Sequence, residues 1–303
     1  MRRLPIGLAL VAGLAVAAGP AWAQRPHGTP PGLLKNGGRG PGDGPSAPAG
    51  DGAGIPAGSR VRSLGAWLDD ATAMGAGEAW MTVSVQQWSS PIGDGLEAPV
   101  MDLVAGVRQG VHLFASVPYS RTTYTGVPTF GEMGTVYVGG KFVLREPDEG
   151  VIGFAATPAV EILSASAIDE TGFSRVNLVL PVSVEWRHGS TRVYGSSGYF
   201  TRGALFGSGA VEHALTDRSV VTLALSQGWA TGDQMIAEEL GLRRARTDLS
   251  GSLAWVASPH LMLYGGLART ISQIDADAIR YAVSVGASMN LRSPGRRIPV
   301  KKP

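Results

Sequence analysis

Beyond about residue 78 the chain alternates apolar with polar or small residues at a period of two. The pattern is clearest from Glu132 to Leu163. Val136, Val138, Gly140, Phe142 and Leu144 alternate with Thr135, Tyr137, Gly139, Lys141, Val143 and Arg145. A turn of Glu146-Pro147-Asp148-Glu149-Gly150 follows, with Pro to fix φ and Gly able to take a left-handed conformation. The alternation then resumes as Ile152, Phe154, Ala156, Pro158, Val160 and Ile162 against Gly153, Ala155, Thr157, Ala159 and Glu161. Period two on both sides of a tight turn predicts a β-hairpin with one apolar and one polar face. Its strands exceed the five to six residues usual in globular sheets and match the roughly nine to eleven of a tilted strand crossing a bilayer.

The same reading predicts strands over 79–89, 98–108, 111–124, 133–145, 151–164, 173–187, 190–202, 204–215, 218–230, 244–257, 260–272 and 277–291. That is about twelve, with ten or fourteen left open, and an even number suits a single-chain bacterial barrel. Connections at Gln109-Gly110, Glu146 to Gly150, His188 to Ser190, Thr216 to Arg218 and Ser258 to His260 are tight. Those at Ser90 to Glu97, Thr125 to Gly131, Ala165 to Gly172 and Thr231 to Arg243 are longer. Short turns alternating with longer loops mark an up-and-down transmembrane barrel, and the break at Gly203 is the exception to the rule.

The expected lipid face carries Met81-Val83-Val85, Met101-Leu103-Ala105-Val107, Val111-Leu113-Ala115-Val117-Tyr119, Val176-Leu178-Leu180-Val182-Val184-Trp186, Val221-Leu223-Leu225-Gln227-Trp229 and Leu249-Gly251-Leu253-Trp255. Trp186, Trp229, Trp255 and Tyr119 fall where an aromatic girdle would stand. The last strand alternates Tyr281, Val283, Val285, Ala287, Met289 and Leu291.

The ends add an export route. Met1-Arg2-Arg3, an apolar run from Leu4 to Ala18 and the site Ala21-Trp22-Ala23 read as a signal peptide over residues 1–23, cleaved after Ala23. Residues 24–60, rich in Pro and Gly, lack the apolar surface to offset ordering entropy and read as a disordered periplasmic linker. Residues 61–77 place Leu64, Trp67 and Leu68 at helical spacing. They are expected as a short helix at the barrel mouth or as an irregular leader. The barrel proper is expected over 78–291, and residues 292–303 form a basic periplasmic tail.

Composition narrows the chemistry. The chain has no cysteine, and its 26 basic and 24 acidic residues nearly balance, so neither disulfides nor a nucleic-acid partner is expected. His27, His112, His188, His213 and His260 lack metal-ligand spacing, and no nucleophile elbow or phosphate loop is present. No cofactor, metal or catalytic residue is expected. The glycines at 134–140, 203, 207 and 209 read as bends or close-packing positions.

The polar faces carry charge at Asp102, Arg108, Lys141, Arg145, Glu161, Arg175, Glu185, Glu212 and Arg280. An Arg or Lys turned to lipid near mid-membrane costs about 2–4 kcal/mol, so these residues should face the lumen. Asp102, Lys141, Glu161, Arg175, Glu185 and Arg280 are the candidate lumen-lining set. Two readings stay open: an ion-pair network that seals the barrel, or a polar conduit, which the width of about twelve strands favours.

The segment from Gly131 to Phe142 resembles the G-x-G-D…K-(Y/F) strand of the outer-membrane transporter-like family labelled "MetA-pathway of phenol degradation", with Thr135 standing where that family usually has Asp. Pro99 to Val107 and Val111 to Pro118 resemble its early strands, and the likeness spans about Pro99 to Leu291. It implies an outer-membrane barrel passing hydrophobic or aromatic compounds, and only Lys141 and the glycines carry over by position. The combined expectation is an all-β antiparallel up-and-down barrel of about twelve strands in a Gram-negative outer membrane, passing small solutes by diffusion. Its expected partners are outer-membrane lipid, the solute and the barrel-assembly machinery. The rivals are a sealed structural or adhesive barrel and, behind it, an outer-membrane lipid hydrolase.

Overall fold

The computed structural model describes residues 68–91, 93–124, 128–165, 174–231, 245–258, 260–272 and 278–291. The signal peptide, the linker, the basic tail and residues 61–67 of the leader lie outside the described residues.

Fourteen strand segments follow one another: β1 (Ala79–Ser89), β2 (Gly93–Arg108), β3 (Val111–Tyr124), β4 (Phe130–Met133), β5 (Val136–Arg145), β6 (Gly153–Ala156) and β7 (Ala159–Ile162). They continue as β8 (Val176–His188), β9 (Thr191–Phe200), β10 (Ala204–Thr216), β11 (Ser219–Ala230), β12 (Ala245–Ser258), β13 (Leu261–Thr270) and β14 (Tyr281–Asn290). Neighbouring staves pair antiparallel, and β1 pairs β14 from Trp80↔Asn290 to Ser89↔Tyr281, which closes the sheet. The result is a closed antiparallel barrel of twelve staves.

Two staves are interrupted, and proline explains both. β4 and β5 lie end to end along β3, parted at Gly134, whose N–H reaches the Pro118 carbonyl at 3.0 Å. β6 and β7 lie end to end between β5 and β8, parted at Thr157-Pro158, where Thr157 stands opposite Pro181 and gives its N–H to the Pro181 carbonyl at 2.9 Å. A proline has no N–H to give the ladder, so pairing breaks locally and resumes beyond it.

The strands match the expected ones, including the separation of β9 from β10 at Gly203, which takes a left-handed φ of 90° in a three-residue turn. Two connections differ: Phe130 and Gly131, expected in a loop, begin β4 and pair with Thr122 and Arg121. Gly93 to Glu97, expected in a loop, is the start of β2, paired with β3 from Gly93↔Tyr124. Gly95 is small because the Trp88 indole lies over it: a Cβ would stand 2.1 Å from the ring. A residue that looks like turn chemistry is here a close-packing site.

Burial is inverted relative to a water-soluble protein. Leu144, Leu223, Leu267, Val182 and Val285 are exposed on the outer face, while Lys141, Glu161 and Glu185 are each 1 % exposed inside. In water such an apolar girdle would drive association; against lipid tails it is the favoured surface. Trp186 and Trp255 stand toward the end with the tight turns, and Tyr199 and Tyr281 toward the other. Trp229, in outward phase, is buried beside Gly207 instead of projecting freely.

Candidate functional site: a leader held inside the lumen

Period two sends every second side chain of each stave inward. On β5 these are Tyr137, Gly139, Lys141 and Val143; on β8, Asn177, Val179, Pro181, Ser183 and Glu185; on β9, Arg192, Tyr194, Ser196, Gly198 and Phe200. Inward charges therefore fall at neighbouring heights on β8 and β9, which are adjacent, and on β5, one stave further round.

The leader runs through this space. Its described part, 68–78, contains no helical residue. Leu68, Asp69, Ala71 and Met74 are all buried. Leu68 packs with Tyr194, Ala210 and Ala224, and Met74 belongs to an apolar layer with Trp80, Val104, Phe114, Tyr137, Phe200 and Phe206. The segment is tied to the sheet at its last residues, where the Gly77 N–H donates to the Gly106 carbonyl at 2.7 Å and the Gly106 N–H to that of Glu78 at 2.9 Å.

Upstream of that anchor, wall side chains hold the leader. Lys141 Nζ pairs with Asp69 and lies 2.8 Å from Asp70 Oδ1. Arg192 reaches Asp70 Oδ2 at 2.8 Å, so two cations share the Asp70 carboxylate, one on each oxygen. The Thr157 hydroxyl donates to Asp69 Oδ2, and the Ser183 hydroxyl donates to the Asp70 carbonyl at 2.8 Å. Glu185 is the hub: its Oε1 accepts from Arg187 Nε at 2.6 Å and Arg192 Nε at 2.9 Å. Its Oε2 accepts from the Ala71 N–H at 3.0 Å and the Thr72 hydroxyl at 2.6 Å. Arg187 and Arg192 are directly opposite across β8 and β9, a like-charge pairing that their shared Glu185 carboxylate offsets. Arg192 also bonds Glu212 at 3.0 Å, and Arg187 also contacts the Thr72 hydroxyl.

A second, smaller group lies nearer the longer loops. Glu161 accepts from the Tyr137 hydroxyl at 2.8 Å and from Arg202 Nε at 2.9 Å, with the Arg202 guanidinium 4.6 Å from the Phe200 ring centroid. Across the lumen, Arg246, Asp248 and Thr270 form a third group, in which the Thr270 hydroxyl donates to Asp248 at 2.7 Å. Among the described residues no His, Asp and Glu set is arranged to hold a metal ion.

Of the candidate lumen set, Lys141, Glu161 and Glu185 lie inside and at the centre of these groups. Asp102 shares the inward phase of Val100 and Val104 and accepts from the Ser116 hydroxyl. Arg175 and Arg280 are not brought to the groups. Each precedes the first residue of its strand, Val176 or Tyr281, and is exposed at the rim, so their expected place in the lumen is corrected to its mouth. Sequence reasoning passed over Arg187, Arg192 and Arg202, although their phase with Glu185 and Tyr194 marked them as inward. It also missed Asp69 and Asp70, whose only signal is two adjacent acids after an apolar run.

No family profile matches the chain, and no curated relative does. Solved structures match by shape. The chain is similar to the COG4313 outer membrane channel from Pseudomonas putida F1, with a TM-score of 0.57 at 11% identity over 73% of this chain and 97% of that one. It is also similar to the KdgM porin (TM-score 0.49, 9% identity, 70% and 99% coverage) and the NanC porin (TM-score 0.48, 11% identity, 69% and 98% coverage). Only the first is near enough to carry weight, and what it shows is a shared fold, that of outer-membrane barrels.

Proposed function

We propose that this protein is an outer-membrane channel that passes small solutes by diffusion, with its own leader seated in the conduit. The observation that carries this reading is how the leader is held. From Asp69 to Ala73 its contacts run through wall side chains, and its N–H groups at 69, 71 and 73 go to Ser196, Glu185 and Glu146. Side-chain contacts of this kind exchange with water and solute one at a time, whereas a segment built into the sheet would leave only by unfolding it. The export signal ending at Ala23, insertion by the barrel-assembly machinery and a lipid-facing outer surface belong to the same reading. So does membership of the transporter-like family that the β4–β5 stave resembles, with its hydrophobic or aromatic solutes.

The specific rival is a sealed barrel, favoured by the near-complete burial of Lys141, Glu161 and Glu185. Single-channel recording separates the two. The full chain and a variant lacking 68–76 are placed in planar bilayers, each checked as folded by heat-modifiable gel mobility. A channel gives small steps for the full chain and steps several-fold larger for the deletion. Silence from both folded proteins leaves the sealed barrel as the function.

A further inference from the structure

Asp69 and Asp70 are held as a binding site holds a free ligand. The Asp70 carboxylate has a different cation on each oxygen, Lys141 on Oδ1 and Arg192 on Oδ2, both at 2.8 Å. Asp69 takes the same lysine and the Thr157 hydroxyl. The cations and the hydroxyl belong to the barrel wall, on β5, on β9 and between β6 and β7, while both carboxylates belong to a segment outside the sheet. With the leader seated, Lys141 is 1 % exposed and Arg192 is 8 % exposed, so the leader carboxylates stand where water or a solute would otherwise meet these cations.

The charge balance is equally specific. With the leader seated, among the described residues three wall cations (Lys141, Arg187, Arg192) pair with four carboxylates (Asp69, Asp70, Glu185, Glu212). Take away the two leader carboxylates and, among the described residues, the ion pairs left to these cations are those with Glu185 and Glu212. Glu185 stays committed to Arg187 and Arg192, and Glu212 to Arg192, so Lys141 loses both of its ion-pair partners. An ammonium in a narrow lumen that has lost its counter-charges attracts any small anion able to reach it with the right geometry.

We infer that Lys141, Arg192 and the Thr157 hydroxyl form a carboxylate-binding site in the conduit, which Asp69 and Asp70 of the leader occupy in place of a solute. Two carboxylates on consecutive residues, bridged by one lysine, select short dicarboxylates above monocarboxylates. A fixed fork such as Arg192 adds geometric selection to charge. Solute and leader then compete for one set of partners. The inference rests on the leader being displaceable, as the channel reading requires.

The test is replacement of the leader's carboxylates by a free one. In the full chain, Asp69→Ala/Asp70→Ala vacates both carboxylates and the space they fill. Malonate should raise the gel-mobility melting midpoint of this variant by several degrees, following mass action on the folded state, and leave the unsubstituted protein nearly unmoved. Its neutral isostere malonamide should do nothing, and adding Lys141→Met should abolish the malonate effect. A malonate shift that malonamide matches, or that survives Lys141→Met, overturns the site. If the double variant does not fold, Asp69→Ala alone keeps Asp70 to hold the two cations, and acetate takes malonate's place with acetamide as its control. Binding is read here in detergent, independently of current. A malonate response from a protein silent in bilayers keeps the site and rejects the channel; open channels without the response keep the channel and reject the site.

Discussion

The two sides of the lumen are built differently. The wall from β5 to β10 carries Lys141, Glu161, Glu185, Arg187, Arg192, Arg202 and Glu212, and the leader is bound to it. The wall from β11 round to β1 turns Thr222, Ser226, Ser250, Ser284, Ser288 and Ser84 inward, and within its described strands the inward charge is the Arg246–Asp248 pair near the longer loops. The packing follows the chemistry. Long ionic side chains reach across to hold a separate segment, whereas hydroxyls bond to near neighbours, as Thr82 and Ser288 do at 2.7 Å. Small polar residues also let large ones fold flat against the wall. The Tyr264 ring lies over Gly286, where a Cβ would stand 2.6 Å from it. One wall is a holding surface and the other a lining, although both obey the same alternation.

That contrast can be broken most directly at Glu185. Glu185→Gln removes the charge shared by Arg187 and Arg192, which face each other across β8 and β9, and is expected to cost about 3–5 kcal/mol in urea unfolding. A loss below about 1 kcal/mol would mean that the charged wall is not an ionic unit. Next is the outer surface of the lining wall: Leu223→Arg places a cation where the leucine is 58% exposed, in the middle of β11. The expected penalty is about 2–4 kcal/mol for folding into a bilayer, and an unchanged stability there would contradict a lipid-facing girdle. A smaller effect is expected for Arg202→Met. It strips Glu161 of its cation but leaves the Tyr137 hydroxyl donating at 2.8 Å, for a loss of about 2 kcal/mol with the leader still seated. The smallest belongs to the hydroxyl wall, where Ser288→Ala should cost about 1 kcal/mol and leave single-channel current unaltered. An effect at Ser288 rivalling that at Glu185 would erase the distinction between the walls.

Much of this was legible along the chain. A period of two holds for every long stave, because a residue's face depends only on its own strand, and so the outward leucines and the inward Lys141, Glu161 and Glu185 could be named from it, while Arg187 and Arg192 were passed over. Turn chemistry located Gln109-Gly110 and the break at Gly203. Where the reading slipped, a residue type had two physical uses: Gly93 and Gly95 serve the ladder and the Trp88 ring, not a loop. Arg175 and Arg280 slipped for another reason. Phase predicts the direction of a side chain but not whether the strand has begun, and both lie just before the first paired residue.

The alternation by itself thus determined a closed, lipid-facing sheet with a polar interior, since hydrogen-bond satisfaction in a membrane leaves such a sequence scarcely any other form. Which charges meet was decided only in three dimensions. Lys141 bonds Asp70 across 71 positions of chain and Arg192 does so across 122. No local pattern encodes such a pair, because closure of the barrel sets the distance between its walls and the anchor at Gly77 and Gly106 sets where the leader enters.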